Sequence, residues 1–168
     1  MIRLLRQADF RTVPWANGAG VTVEMWREDR AGKLWRRLSR AAVVQDGPFS
    51  RFEGVERNLT VLTGPGFRLV GTGVDLAARP LTPVAFSGDV AIRAEGVTAP
   101  SEDFNVMTAR AAGLPLVQVM QGGRLADGAI FAVGAVTIAG RSLAPFDLIL
   151  SNEAVDFDGL AIVVRFAG

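Results

Sequence analysis

Arg57, Asp103, Asn105, Glu24 and Arg37 are the side chains whose types and spacing could do chemistry in this 168-residue chain. Arg57 stands at the entrance to the run Asn58-Leu59-Thr60-Val61-Leu62. A planar guanidinium on a rigid strand meets a carboxylate through two parallel hydrogen bonds, so an Arg there is either an anchor for an acidic group or a solvated rim charge. Asp103 and Asn105 alternate with Phe104 and Val106 in the stretch Glu102 to Arg110. Successive strand side chains point to opposite faces, which groups Asp103, Asn105 and Met107 on one side and Phe104, Val106 and Thr108 on the other. The first group offers a carboxylate and an amide to a cavity, or it is a turn residue with its capping Asn. Glu24 shares a face with Thr22 and Trp26, and Arg37 shares one with Trp35, Ser39 and Ala41. Asn17 lies in the Gly-rich segment Trp15-Ala16-Asn17-Gly18-Ala19-Gly20.

The absent residue types narrow the chemistry further. The chain has no Cys, no His and no Tyr. Disulfides, thiolate zinc sites, Cys nucleophiles, Ser-His-Asp triads and His-ligated metal centres are therefore excluded. No EF-hand-like run of carboxylates is present, so neither a metal nor another cofactor is expected. The Gly-rich segment at 15–20 precedes a strand and has no Lys-Ser or Lys-Thr pair, which rejects a phosphate-binding nucleotide loop. Eighteen basic and 17 acidic residues give a net charge of +1. The excess is basic in residues 1–57 (11 against 7) and acidic in 58–168 (7 against 10). Such a mild asymmetry gathers neither nucleic acid nor anionic membrane. The opening Met1-Ile2-Arg3-Leu4-Leu5-Arg6 breaks into charge before any signal-peptide core, and no window nears the roughly 20 apolar residues of a membrane span, so a cytoplasmic location is expected.

The elements that must hold these residues are short strands. A hydrophobic content of 49% indicates a folded chain, and no long segment repeats at helical spacing. Strands are expected at 2–5, 21–26, 35–41, 58–62, 67–70 and 103–108, with a charged, exposed hairpin loop at 27–34. Asp46-Gly47-Pro48 and Gly64-Pro65-Gly66 flank the Arg57 stretch as turns, and Phe67–Val70 is expected to pair back through the second of them. Ile130–Val133 and Val136–Ile138 read as a second hairpin. Leu81-Thr82-Pro83 and Leu143-Ala144-Pro145 repeat one spacing 62 positions apart, which suggests a duplicated all-β unit. The fold class is all-β, a barrel or sandwich. The apolar run Leu160–Val164 either fills a core or meets a second copy in a homodimer, and the core is favoured.

Four ordered motifs point to a family. They are Trp15-x-Asn17-Gly18-x-Gly20-x-Thr22-x-Glu24, Asp46-Gly47-Pro48-Phe49-Ser50-x-Phe52-x-Gly54-x-Glu56-Arg57-x-Leu59, Phe86-x-Gly88-Asp89 and Asp103-Phe104-Asn105-Val106-Met107-x-x-Arg110. Together they resemble the HutD/Ves family. Two positions depart from its pattern: Ala19 stands where Gly is common, and Trp35 lies one position early relative to Arg37-x-Ser39-x-Ala41. The resemblance implies a cupin-type double-stranded β-helix with two cupin-like barrels in one chain, a bicupin. One compact unit over 1–168 would then divide into halves at about 1–110 and 111–168. For the HutD branch it implies a governor of histidine utilisation, with urocanate or formylglutamate as proposed ligand; the Ves branch is stress-induced.

Residues and resemblance meet at Arg57. The expected protein is non-catalytic and binds a small acidic metabolite, with Arg57 on the carboxylate, Asn17 and Asn105 as hydrogen-bonding groups, Trp15 and Phe104 as apolar walls, and Glu24, Arg37 and Asp103 completing the site. The alternative is a metal-free isomerase or lyase in which Glu24 or Asp103 acts as base and Arg57 stabilises the anion. It lacks His, the side chain best suited to proton transfer near neutral pH.

Overall fold

The computed structural model describes residues 1–15 and 20–168. Asn17 and Ala19 lie outside the described residues. In chain order the strands are β1 (Ile2–Leu5), β2 (Arg11–Pro14), β3 (Val21–Arg30), β4 (Lys33–Val43), β5 (Gly47–Pro48), β6 (Val55–Thr63), β7 (Phe67–Gly71), β8 (Val74–Ala78) and β9 (Val84–Ser87). There follow β10 (Ile92–Glu95), β11 (Ser101–Ala109), β12 (Leu116–Leu125), β13 (Gly128–Ala132), β14 (Val136–Ile138), β15 (Arg141–Leu143), β16 (Leu148–Ser151) and β17 (Val155–Arg165). The all-β expectation holds, and no helix among the described residues is long and apolar enough to cross a membrane.

The chain forms two compact units, Arg11–Ala112 and Met1–Phe10 with Gly113–Gly168. In the first, six antiparallel strands run in the order β2-β3-β4-β11-β6-β9, and four more form a second sheet, β5-β10-β7-β8. Leu59, Val61, Phe67, Leu69, Phe86 and Ile92 make up much of this unit's core. In the second unit β17 is the spine, pairing β12, β13 and β14, while β16 pairs β1 and β13. Ala161 to Val164, in the run expected to fill a core, are fully buried there.

Two expectations about local pairing are corrected, and one is refined. The hairpin expected at 27–34 is present with a shorter loop than expected: β3 continues to Arg30, and Ala31 (φ +49°) and Gly32 (φ +72°) make the two-residue turn. Its charges are paired, Arg27 with Asp29 and Arg30 with Glu28, and the Arg30 guanidinium lies 4.2 Å from the Trp35 ring centre, so a high charge density is compatible with strand. β7 does not fold back on β6 but pairs with β8 and β10. Gly64-Pro65-Gly66 carries the chain from one sheet to the other. β13 and β14 do not pair with each other; both lie on β17, which bends between them at Gly159 (φ +115°). The two Leu-x-Pro copies also differ in setting, since Leu81 is held at φ +54° before β9 and Leu143 closes β15.

Gly66 shows how tight the sheet-to-sheet crossing is. Its N–H donates to Ser101 Oγ at 2.8 Å, its φ is +84°, and a Cβ there would meet the Ala78 carbonyl oxygen at 2.0 Å. Gly66→Ala therefore combines backbone strain with a clash that only backbone movement relieves. It should cost about 3 kcal/mol or more and lower the melting temperature by on the order of 10 °C; a thermal scan within a degree or two of wild type would contradict this.

Candidate functional site

Arg57 is nine-tenths buried at the floor of a cavity of about 320 Å³ in the Arg11–Ala112 unit. Strand register explains the floor. On one face of three neighbouring strands, Arg37 (β4), Met107 (β11) and Arg57 (β6) form one row. Ser39, Asn105 and Leu59 form the next, and Ala41, Asp103 and Val61 the one beyond. β11 lies between β4 and β6, so its alternating Asp103, Asn105 and Met107 are carried into the middle of that face.

The rest of the lining comes from the chain either side. Val13 and Pro14 of β2, Trp15 just after it and Thr22 of β3 line it, and Trp15 Nε1 donates to Thr22 Oγ1 at 3.0 Å. A Cβ on Gly20 would stand 3.0 Å from the Trp15 ring, which accounts for glycine there. The segment after β5, residues 49–54, crosses the floor and contributes Phe49, Ser50 and Phe52.

The Arg57 guanidinium is held by rings and weak acceptors rather than by a carboxylate. Its carbon lies 5.5 Å, 5.2 Å and 5.1 Å from the ring centres of Phe49, Phe52 and Phe86. One terminal nitrogen donates to the Ser50 carbonyl at 3.1 Å and the other to Asn105 Oδ1 at 3.4 Å, while Nε has no partner among the described residues. Each ring contact contributes about 0.5–2 kcal/mol, less than the cost of burying an unpaired charge. Burial pushes the guanidinium down to about 10, with the nearby Asp103 carboxylate opposing the fall and Arg37 adding to it. It stays charged at neutral pH.

Asn105 links this cation to the buried acid. Its Nδ2 donates to Asp103 Oδ1, while Asp103 Oδ2 has no partner among the described residues. Burial pushes the Asp103 carboxyl up to about 7, against the Arg57 charge and the Asn105 hydrogen bond, which both hold it down; Glu102 adds a smaller upward push. Desolvation prevails because the whole group is inside the unit.

Of the eight candidate residues, Arg57, Trp15, Arg37, Asn105 and Asp103 line the cavity. Phe104 does not. It points from the opposite face of β11 and is fully buried, as its alternation with Asp103 and Asn105 demands. Glu24 is not among the lining residues either: its carboxylate is committed to Arg37, with Oε2 at 2.8 Å from Nε. Asn17 lies outside the described residues. Phe49, Ser50, Phe52 and Phe86 are functional neighbours that residue-type reasoning passed over. The signal was present in Asp46-Gly47-Pro48-Phe49-Ser50-x-Phe52, a turn followed by aromatic residues.

The geometry defines a cupin-type β protein with an anion-compatible cavity. A pirin, YhhW of Escherichia coli, has the same fold at 10% identity, with a TM-score of 0.63 over 99% of this chain and 97% of that one. The HutD family model matches residues 7–155, and the chain belongs to that family. HutD from Pseudomonas fluorescens SBW25 superposes with a TM-score of 0.89 at 27% identity over the whole of both chains. A 21.2 kDa protein in the hutC 3' region of Pseudomonas putida is 39% identical over 64% of this chain and 58% of its own length. Protein Ves of Escherichia fergusonii is 38% identical over 60% of this chain and 56% of its own. The match thus spans little more than half the length of these curated relatives.

The Asp103 carboxyl carries a pH signature opposite to that of an ion-paired acid. Its folded value lies above the ordinary 3.8, so between about pH 4 and 7 the unfolded chain gives up a proton that the folded chain retains. No penalty exists below that window, and stability is lost as pH rises through it. Wild type should lose up to a few kcal/mol relative to Asp103→Asn between pH 4 and 7.5. Denaturant midpoints of both proteins at the two pH values measure this, and parallel profiles would contradict the buried, raised carboxyl.

Proposed function

We propose that the protein binds a small acidic metabolite in the cavity over Arg57 and that it acts as a binding protein rather than an enzyme. The observation that carries this reading is the buried guanidinium with no carboxylate within 4 Å among the described residues, at the floor of an open cavity. A carboxylate from outside supplies the missing counter-charge and takes the place of weak acceptors. Trp15, Phe49 and Phe52 provide apolar walls, so the rest of the ligand is flat or apolar and small enough for about 320 Å³. Membership of the HutD family and the hutC-region relative favour a metabolite of histidine utilisation, such as urocanate or formylglutamate, and a cytoplasmic role in governing that pathway. One HutD structure was obtained in a formate condition, which makes formate a natural minimal probe.

A second reading has one observation in its favour. Asp103 sits in the same cavity with its carboxyl near 7, where a general base works well. Glu24 does not support it, being held by Arg37. Turnover of urocanate or formylglutamate that disappears in Asp103→Asn would favour an isomerase or lyase; saturable binding without turnover supports the binding protein.

Titration calorimetry with formate, urocanate and formylglutamate tests the main reading. Arg57→Ala should weaken binding about 10- to 100-fold, the 1.5–3 kcal/mol of a charge-assisted contact. Unchanged affinity in that variant would overturn the assignment. Affinity should also fall as pH rises through about 7, because ionised Asp103 then offsets the Arg57 charge while the Arg37–Glu24 pair stays neutral overall. In Asp103→Asn this pH dependence should vanish.

A further inference from the structure

Gly54, Gly88, Asp89 and Arg110 are motif residues that do not line the cavity. Their contacts nevertheless converge on the segment that holds Arg57. Phe52 N–H donates to the Gly88 carbonyl at 2.9 Å, and Gly88 N–H to the Val55 carbonyl at 2.8 Å. A Cβ on Gly88 would meet those same two partners, standing 2.4 Å from Phe52 O and 2.7 Å from Val55 O, so only glycine allows the approach. Asp89 Oδ1 accepts from Gly54 N–H at 2.7 Å where Gly54 turns at φ +72°. Asp89 Oδ2 accepts from Arg110 at 2.6 Å, and Arg110 also donates to Glu56 Oε1 at 2.8 Å while its backbone N–H reaches the Gly54 carbonyl at 2.8 Å. The other end of the segment is tied by Phe49 N–H to the Ile92 carbonyl at 2.9 Å.

We propose that Asp89, with Arg110 behind it, is a positioning residue for the Arg57 site: it fixes the Gly54 turn, and so the 49–54 segment, with its Ser50 carbonyl and its Phe49 and Phe52 rings against the guanidinium. This rests on the reading that Arg57 anchors the ligand. The pairs at Asp89 and Arg110 are exposed, and exposed ion pairs by themselves contribute little to stability. What they contribute here is register. With the segment fixed beforehand, a ligand does not have to order it on binding, and a loosened segment costs affinity without removing any group that touches the ligand.

The test compares wild type, Asp89→Ala and Asp89→Asn by NMR of the ligand-free protein, by melting temperature and by titration with formate and urocanate. The Asn variant keeps an acceptor for Gly54 N–H and serves as the conservative rescue. In Asp89→Ala the Arg57 Nε–H resonance, displaced in wild type by three surrounding rings, should move toward the position of a solvated arginine. Exchange of the Phe52 amide should accelerate, and affinity should fall about tenfold. Asp89→Asn should restore most of the resonance position and leave affinity within about threefold of wild type. A role confined to stability would lower the melting temperature in Asp89→Ala with the Arg57 resonance and Phe52 exchange unmoved, and that result overturns the proposal. If wild type binds neither probe, the binding reading fails, and the Arg57 resonance still decides whether Asp89 positions the guanidinium.

Discussion

An arginine taken out of water without a carboxylate beside it is the constraint around which the Arg11–Ala112 unit is built. Desolvating a guanidinium costs several kcal/mol, and proteins usually meet that cost with an opposite charge. Here the compensation is spread over three phenylalanine faces, one backbone carbonyl and one amide oxygen. None of these is strong alone, and together they come from three separate parts of the chain: the 49–54 segment, β9 and β11. The guanidinium therefore depends on the strand register of β6 between β9 and β11 and on the crossing segment being in place. That dependence explains why motif residues are scattered from 46 to 110 while the site they serve is small.

The two arginines on the cavity floor show how pairing divides their roles. Arg37 and Arg57 stand in the same row on either side of Met107. Arg37 has Glu24 at 2.8 Å from the neighbouring strand β3, an ion pair that leaves its net field small. Among the described residues Arg57 has only dipoles and rings around it. A single added anion is thus drawn to one of two chemically identical groups, and the selection is made by Glu24 rather than by either arginine. The same logic removes Glu24 from the list of free bases, although its face on β3 had made it a candidate.

How much of this could be read from the residues depends on the range of the interaction. The strands around Arg57 and Asp103 follow from alternation, and Asp103, Asn105 and Met107 do share a face as period two requires. That same rule forbids Phe104 from sharing their cavity, so its assignment as a wall set ligand chemistry against strand geometry, and geometry prevailed. The 27–34 hairpin was legible but not the length of its strands, because the charges of that stretch pair along β3, Arg27 with Asp29 and Arg30 with Glu28. The partners of β7, β13 and β14 were hidden for a different reason: each of the expected pairs is of consecutive strands, but after Gly66 the chain leaves β6 for the sheet of β8 and β10, and β13 and β14 each take a stretch of β17 on either side of Gly159. The phenylalanine surround of Arg57 gathers residues 49, 52 and 86: the turn followed by aromatic residues marks the first two, but no local pattern joins them to Phe86 or to the guanidinium.

Asp103 then determines what kind of anion site this is. Its carboxyl is linked to Arg57 only through Asn105, which accepts from the guanidinium with Oδ1 and donates to the acid with Nδ2. An amide can satisfy both neighbours at once in this orientation, and flipping it would set a donor against a donor and an acceptor against an acceptor. The bridge keeps the acid near the cation without joining them in a direct pair, so neither charge is cancelled by contact. Because burial holds the acid near neutrality, the cavity has a net positive character while Asp103 is protonated and close to none once it ionises. A direct Arg57–Asp103 pair would have been more stable and would have left nothing for an incoming carboxylate to do. Separating them by one amide leaves the positive charge available, and the position of that amide on β11 is fixed by the sheet on both sides.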